Sequence, residues 1–320
     1  MTEKKEDNFY FNNGLENIFP SSFNLYHGSS IEYSSFELNR KTNWITNVRI
    51  PEKTGTDESF NYIIQNNRKN IFIHGCTSPN ARFLMEKGFN SVCIGREAIL
   101  DLNFNHFSKK SLKELVNRGR KKGFPIELEN SAKSRKELCK FKTEYVHAEK
   151  PQLKNLFNDK FEKQIRLFVL QDFEGRWLGC ISTSLRNKNF VQTEMLLRSK
   201  NSPPGVIESL IYYIFNLLRN EGYSYWSLGA VPFIHSGDRK SGWEQIVSKT
   251  GRLLKFAYNY KGLYNFKKKF NPFWSDYFIC SGSTITIRIL YRLFRDTNLL
   301  KLTIHKLFRI LIKISPNCFF

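Results

Sequence analysis

The sequence predicts a mixed α/β (α+β) chain of two tandem lobes with mixed sheets, followed by a basic amphipathic helical tail. Three observations predict it. The first half alternates strand, helix and strand, the second half runs three strands, a helix and a strand, and the last residues change to a helical apolar repeat dense in Lys and Arg. The expected division is residues 1–150, 151–283 and 284–320.

Residues 1–60 are rich in Asn, Ser, Tyr and Phe with weak periodicity and announce no more than an ordered start to the first lobe. From residue 70 the pattern sharpens. IFIHG (71–75) predicts a strand, PNARFLMEKG (79–88) a helix closed by Gly88, and SVCIG (91–95) a second strand. SKKSLKELVNRGRKKG (108–123) predicts a basic helix with Ser108 or Ser111 as N-cap and Gly123 as its stop, before the strand FPIELE (124–129). A charged helical stretch is expected over 131–165. LFVLQD, WLGCISTSL and FVQTEMLLR then form a meander, separated by turns at FEGR and RNKN. In the next helix, residues 202–223, the apolar positions Ile207, Leu210, Ile211, Ile214, Leu217 and Leu218 share a face; Ser202 is its expected cap, Pro203 and Pro204 its first turn, and Gly222 its end. The strand SYWSLG (224–229) follows. Three antiparallel strands, a helix and a further strand are the core order of the GNAT acyltransferase fold, and two such lobes fit the length.

Composition limits the partners. In 320 residues, 41% apolar and 15% aromatic content is enough for real cores. Lys and Arg outnumber Asp and Glu 50 to 29, for a formal charge of +21, which calls for an anionic partner such as tRNA, a lipid surface or a polyphosphate. The six cysteines, Cys76, Cys93, Cys139, Cys180, Cys280 and Cys318, form no CxxC pair and read as reduced, mostly buried thiols. The start, MTEKKEDNFYFNNG, lacks the apolar core of a secretory signal, and no apolar run reaches the length of a membrane span, so a cytoplasmic location is expected. In the tail, Ile289, Leu293, Leu300, Ile304, Leu307, Leu311 and Ile314 recur on one face, among Arg288, Arg292, Arg295, Lys301, Lys306, Arg309 and Lys313. Such a segment can lie in a lipid headgroup layer, or pack its apolar face on the protein.

Several devices are absent from the sequence: GxSxG, HExxH, a P-loop and GxGxxG. The histidines 27, 74, 106, 147, 235 and 305 stand apart and read as ordinary surface or core residues. No metal and no resident cofactor is expected. In a GNAT enzyme that uses acetyl-CoA, a [QR]xxGxG/A loop after the fourth strand cradles the pyrophosphate at a helix N-terminus. Here that junction is RSKNSPPGVIE (198–208), with two prolines and one glycine, which argues against CoA. RKKGFP (120–125) keeps half of such a loop and reads as a basic helix end.

Four ordered blocks carry a family resemblance: GREAILDLNFNHFSKKSLKELVNRGRKKGF (95–124), EMLLRSKNSPPGVIESL (194–210), SLGAVPF (227–233) and YNYKGLYNFKKKFNPFWSDYF (258–278). The second is similar to a DLMR element with a proline–glycine turn and an acidic residue, and the last, FKxKFxPxW, is the most specific. Together they resemble the catalytic domain of the phosphatidylglycerol lysyltransferases over roughly residues 96–280. The resemblance implies tandem GNAT-like lobes facing a tunnel. An aminoacyl-tRNA would enter from the cytoplasmic side and a phospholipid headgroup from the membrane side, and the lipid hydroxyl would attack the aminoacyl ester. It further implies that Lys267, Lys269 and Arg198 contact the reacting ester or lipid phosphate. Glu208 and Glu194 are then candidates for the substrate amine, and Gly229 and Tyr258, in its matching blocks, are further candidates for binding substrate. Tyr258, Trp274 and Tyr277 also read as core aromatics.

One position departs from the family. Alignment on Arg198 puts Met195 where the family has Asp, with Glu194 one place earlier and on the opposite face of a regular strand, which leaves the transferred amino acid open. No counterpart of the family's N-terminal membrane domain is read in these residues, so the expectation is a chain that would at most synthesise and not move product across a bilayer. An acyl-CoA-dependent GNAT N-acyltransferase, or a non-catalytic member that binds membrane or tRNA, are the alternatives.

Overall fold

Segments rich in β-branched and aromatic residues pair into one mixed sheet, and amphipathic helices cover it. The computed structural model describes residues 10, 13–234 and 242–314, with side chains as far as 310. The first half contains β1 (Phe23–Tyr26), β2 (Glu32–Asn39), β3 (Thr42–Pro51), α1 (Thr56–Gln65), β4 (Asn70–Cys76), α2 (Ser78–Glu86) and β5 (Asn90–Asp101). There follow α3 (Lys110–Arg120), β6 (Phe124–Leu128), α4 (Ala132–Glu144), β7 (Arg166–Gln171), β8 (Trp177–Asn187), β9 (Phe190–Arg198), α5 (Val206–Asn220) and β10 (Tyr225–Pro232). The chain continues through α6 (Gly242–Leu254), α7 (Tyr260–Lys268), β11 (Phe273–Ser281), α8 (Ile287–Asp296) and α9 (Leu299–Ile314).

The strand order is β1-β3-β4-β11-β5-β10-β9-β8-β7-β6, with β2 on β3. In each half a parallel pair comes from consecutive strands joined by a helix: β3 with β4, and β9 with β10. The antiparallel strand beside each pair comes from the other half. β11 lies against β4, β5 lies against β10, and β5 and β11 pair with each other at the seam. The two halves therefore share one sheet and exchange strands. Helix α5 buries Ile207, Leu210, Ile211, Ile214 and Leu218 against Phe168, Leu170, Ile181 and Trp226, the face its periodicity predicted. The first half has its own core around Phe23, Phe60, Ile73 and Leu84.

Helix starts differ from expectation. The cap of α3 is Lys109, neither Ser108 nor Ser111, and the cap of α5 is Gly205 at φ 95°, so Ser202, Pro203 and Pro204 precede the helix. The reason is contact. A Cβ on Gly205 would lie 2.1 Å from the Leu115 carbonyl oxygen, and one on Gly119 would lie 2.2 Å from the Gly205 carbonyl oxygen, so α3 presses directly on the first turn of α5. The charged stretch 131–165 is helical only over α4; the rest is irregular chain up to β7. Cys76, Cys93, Cys180 and Cys280 are buried as expected, Cys139 is exposed, and Cys318 and His235 lie outside the described residues. Among the described residues no helix is long and apolar enough to cross a membrane.

Candidate functional site

Strands β9 and β10 pair only at Tyr225–Phe190, Trp226–Val191 and Ser227–Gln192, although both run on past that point. They part because β10 carries a bulge against β5, between Ser227 and Ala230, with Gly229 at φ 88°. Two carbonyl oxygens at this bulge accept hydrogen bonds from one buried amine: Lys267 Nζ donates to Gly229 O at 2.8 Å and Ala230 O at 3.1 Å. Lys267 is 5% exposed, and burial brings its amine down to about 7 against the pull of Glu97, which favours the charged form. A solvated helix face would not do this. Two residues on, Lys269 is half-exposed and its Nζ lies 3.1 Å from Glu208 Oε1 in the buried first turn of α5.

Beneath the bulge is a buried polar network. Ser227 Oγ donates to Glu97 Oε1 at 2.6 Å and accepts from the Gly229 N–H at 2.9 Å. Arg186 Nη1 donates to the same Glu97 oxygen at 2.7 Å, and Tyr10 Oη donates to Glu97 Oε2 at 3.1 Å. Burial opposes ionisation of Glu97, but the Arg186 guanidinium and these donors outweigh it and hold the carboxyl below its usual range. Among the described residues, Arg186 Nη2 and Gln192 Oε1, both buried, have no hydrogen-bond partner.

The parting of β9 has its own polar wall. Ser182 pairs with Met195 and Thr183 with Thr193, so Glu194 is an extra residue in β9 and the face alternation resets there. This corrects the expectation that Glu194 and Met195 face opposite ways. Gln192 and Glu194 meet Asn24, Met195 packs beside Leu167, Val169 and Cys180, and all of these lie on the side of the sheet away from α5. Glu194 accepts from Asn158 N at 2.7 Å and Gln192 Nε2 at 2.8 Å, with Ser184 Oγ at 2.6 Å. Burial raises its carboxyl nonetheless.

The structure thus brings Lys267 to Gly229 and Lys269 to Glu208. Tyr258 is half-buried before α7, its hydroxyl pushed up to about 12 by burial. Trp274 lies tilted against Tyr264 with ring centroids 4.8 Å apart, and Tyr277 Oη lies 2.9 Å from Ser21 Oγ. Arg198 is exposed at the far end of β9, where its carbonyl accepts from Val146 N, in the neighbourhood of His147. Two clefts, of about 160 and 450 Å³, lie beside Leu25 and Glu52 and are not lined by these lysines or Arg198. Sequence reasoning missed Glu97, Arg186, Tyr10 and Asn24. A signal existed for two of them: a carboxylate inside the apolar strand 96–101 and an arginine ending the strand run 177–187 must each find a partner if buried.

Fold and site together define a mixed α/β protein of two strand-exchanged halves whose second parallel pair opens around a buried lysine. The family model described as phosphatidylglycerol lysyltransferase, C-terminal, matches residues 52–281, and the chain belongs to that family. Phosphatidylglycerol lysyltransferase of Bacillus subtilis (strain 168) is 22% identical over 198 residues, 58% of this chain and 23% of that protein. The chain therefore matches less than a quarter of that relative's length. Among solved structures, L-PGS from Bacillus licheniformis is 18% identical with TM-score 0.64, covering 85% of this chain and 86% of that one. A C-terminal DUF2156 domain from Agrobacterium fabrum is 18% identical with TM-score 0.60, covering 79% and 81%. At such identities these two show a shared fold.

Proposed function

We propose that the chain moves a lysyl-like aminoacyl group from an aminoacyl-tRNA onto phosphatidylglycerol or a similar membrane lipid, while held peripherally on the inner face of the cell membrane. The observation that carries this reading is the buried Lys267 amine at the opening between β9 and β10, in a chain of this family.

In the proposed reaction the glycerol hydroxyl attacks the ester carbonyl, loses its proton, and a tetrahedral oxyanion forms; the tRNA 3′ hydroxyl then leaves and takes up a proton. Ester is exchanged for ester, with no oxidant or cofactor. A lysine cation with little water around it stabilises the oxyanion or a lipid phosphate far better than a solvated one. Because burial brings this amine to about 7, its charge is present in the acid half of the physiological range. In this reading Lys269 and Arg198 contact the ester or the lipid phosphate, and Glu208, now on Lys269, exchanges that partner for the substrate ammonium. Glu194, beside Met195 on the opposite wall, is the second carboxylate for that amine, while Gly229 and Tyr258 are the further candidates for binding substrate.

An acyl-CoA donor fits poorly. The first turn of α5, where a pyrophosphate would sit, is covered by Leu115 and Gly119 of α3 and carries the carboxylate of Glu208.

The test is to incubate the purified chain with phosphatidylglycerol liposomes and a pool of charged tRNAs and to search for aminoacyl lipids by mass spectrometry. Lys267→Ala and Lys269→Ala should each abolish a product that the wild type makes. Full activity in both would sink the site assignment, and no product from the wild type would sink the transfer.

A further inference from the structure

The tail lies outside residues 52–281, the span matched to the family. Helix α8 behaves as a covering helix: Ile289, Leu290 and Leu293 pack with Trp44, Phe72 and Ile279. Helix α9 does the reverse. Ile304, Leu307 and Phe308, at spacing i, i+3 and i+4, share one face and are 44%, 44% and 61% exposed. Leu302, His305 and Lys306, on the opposite face, are the ones turned inward. A helix that packs on its own protein for solubility puts its apolar stripe inside, so the outward stripe has another use.

The side turned inward meets a cluster of charge. Arg309 Nη2 lies 3.6 Å from Glu149, and Lys200 Nζ lies 2.8 Å from the same carboxylate. Burial, with Lys306 and Arg309 close by, lowers the Lys150 amine, and His147 is lowered by burial together with Lys150, Arg198 and Lys306. Lys200 and Arg309 thus pair with Glu149, while Lys150, Arg198 and Lys306 lie close to His147. The helix is fixed there by hydrogen bonds at its root, the main-chain bond from Lys154 N to Thr297 O at 3.1 Å and the bond from the Asn298 side-chain Nδ2 to Gln152 O at 3.0 Å.

We infer that the outer face of α9, flanked by the half-exposed cations Lys200 and Arg309, is the surface by which this chain docks on an anionic phospholipid bilayer. The inference deepens the proposed function and rests on it, since Arg198, which there contacts the ester or the lipid phosphate, lies by His147 in the neighbouring cluster. Two features choose the bilayer. An aliphatic and aromatic row gains nothing from a nucleic-acid backbone but gains from acyl chains at the headgroup boundary, and the flanking cations complement anionic headgroups. A second copy of the chain would bring like charges together.

The experiment is flotation of the full chain with vesicles of phosphatidylglycerol and phosphatidylcholine, compared with vesicles of phosphatidylcholine alone. Wild type should float with the anionic vesicles and stay behind with the neutral ones. Leu307→Asp with Phe308→Asp should lower partitioning roughly tenfold or more, and Lys200→Gln with Arg309→Gln should lower it several-fold and flatten its salt dependence, on the order expected per inserted apolar side chain and per cation. Circular dichroism should stay unchanged in both. Equal flotation of wild type and both variants overturns the proposal, as does wild type that never floats. So does a wild-type dimer in light scattering that the Asp variant turns into a monomer. Because flotation needs no turnover, a chain that floats but makes no product sinks the transferase reading alone, and one that aminoacylates short-chain soluble phosphatidylglycerol without floating sinks the docking surface alone.

Discussion

Gly75 in β4 and Gly229 in β10 hold matching places in the two halves. Each sits at a bulge, at φ 82° and 88°, in the second strand of a parallel pair, next to an antiparallel strand contributed by the other half. The openings beyond them are finished differently. In the first half the Ser21–Ser22 segment fills the gap with main chain and one hydroxyl: Ser21 N donates to Gly75 O, Ser22 Oγ to His74 O, and Val48 N to Ser22 O. In the second half the carbonyls of Gly229 and Ala230 are satisfied by the amine of Lys267. A backbone plug is permanent, whereas an amine can change its charge and its partner. The same geometry is therefore structural in one half and available for chemistry in the other.

The largest effect should come from breaking what holds the second bulge. Glu97→Gln leaves the Arg186 guanidinium buried without its counterion and should cost about 3–5 kcal/mol, read by denaturant unfolding. A loss near zero would show that the bulge does not depend on the network. Lys267→Ala should lower aminoacyl transfer by about a hundredfold or more, the usual result of removing a donor from a site of this kind, with the fold retained by circular dichroism.

The two glycines compared directly give the next effect. Alanine at either is strained by about 1–3 kcal/mol at positive φ. At Gly75 the added Cβ would also fall 2.2 Å from Ser21 Oγ and 3.0 Å from Ser21 N, while at Gly229 it would meet Lys267 Nζ at 3.4 Å. Gly75→Ala should thus lose more stability in thermal melts, and Gly229→Ala more turnover in transfer assays. Equal profiles would mean that the bulges are equivalent.

Titration sharpens the contrast further. The Lys267 amine is near 7 in the folded chain and near its ordinary value of about 10.4 in the unfolded one. Between those values the unfolded chain carries a proton that the folded chain lacks, so wild type should gain stability over Lys267→Met as pH rises from 7 to 9, by up to about 1.4 kcal/mol per pH unit. A flat difference between the two unfolding curves across that range would place the amine outside the buried site. The smallest effect belongs to the half-exposed pair. Lys269→Ala should change stability by under about 1 kcal/mol in the same unfolding measurement, even though transfer is lost.

Much of the fold was legible because its signals are local. Helix α5, the meander β7–β9 and β10 follow from apolar spacing and turn residues within each segment, and FKxKF marked the two lysines. The strands β1 to β3 were not legible in a stretch with weak periodicity, since parallel pairing of Phe23–Tyr26 with Val48–Pro51 leaves little alternation to read. The face of Glu194 was misread because a bulge is set by pairing with β8, and pairing is not written in the strand alone.

The sequence by itself determined the α/β class, the order of most elements, the cationic excess and the family, since each rests on neighbouring residues or on residue counts. Tertiary structure alone decided that Tyr10, Glu97, Arg186 and Ser227 meet, that Lys267 is buried while Lys269 is not, and that the apolar face of α9 points outward. The physical reason is that desolvation and charge pairing depend on what other segments bring within a few ångströms, and here single hydrogen-bonded pairs of the network stand up to 130 residues apart.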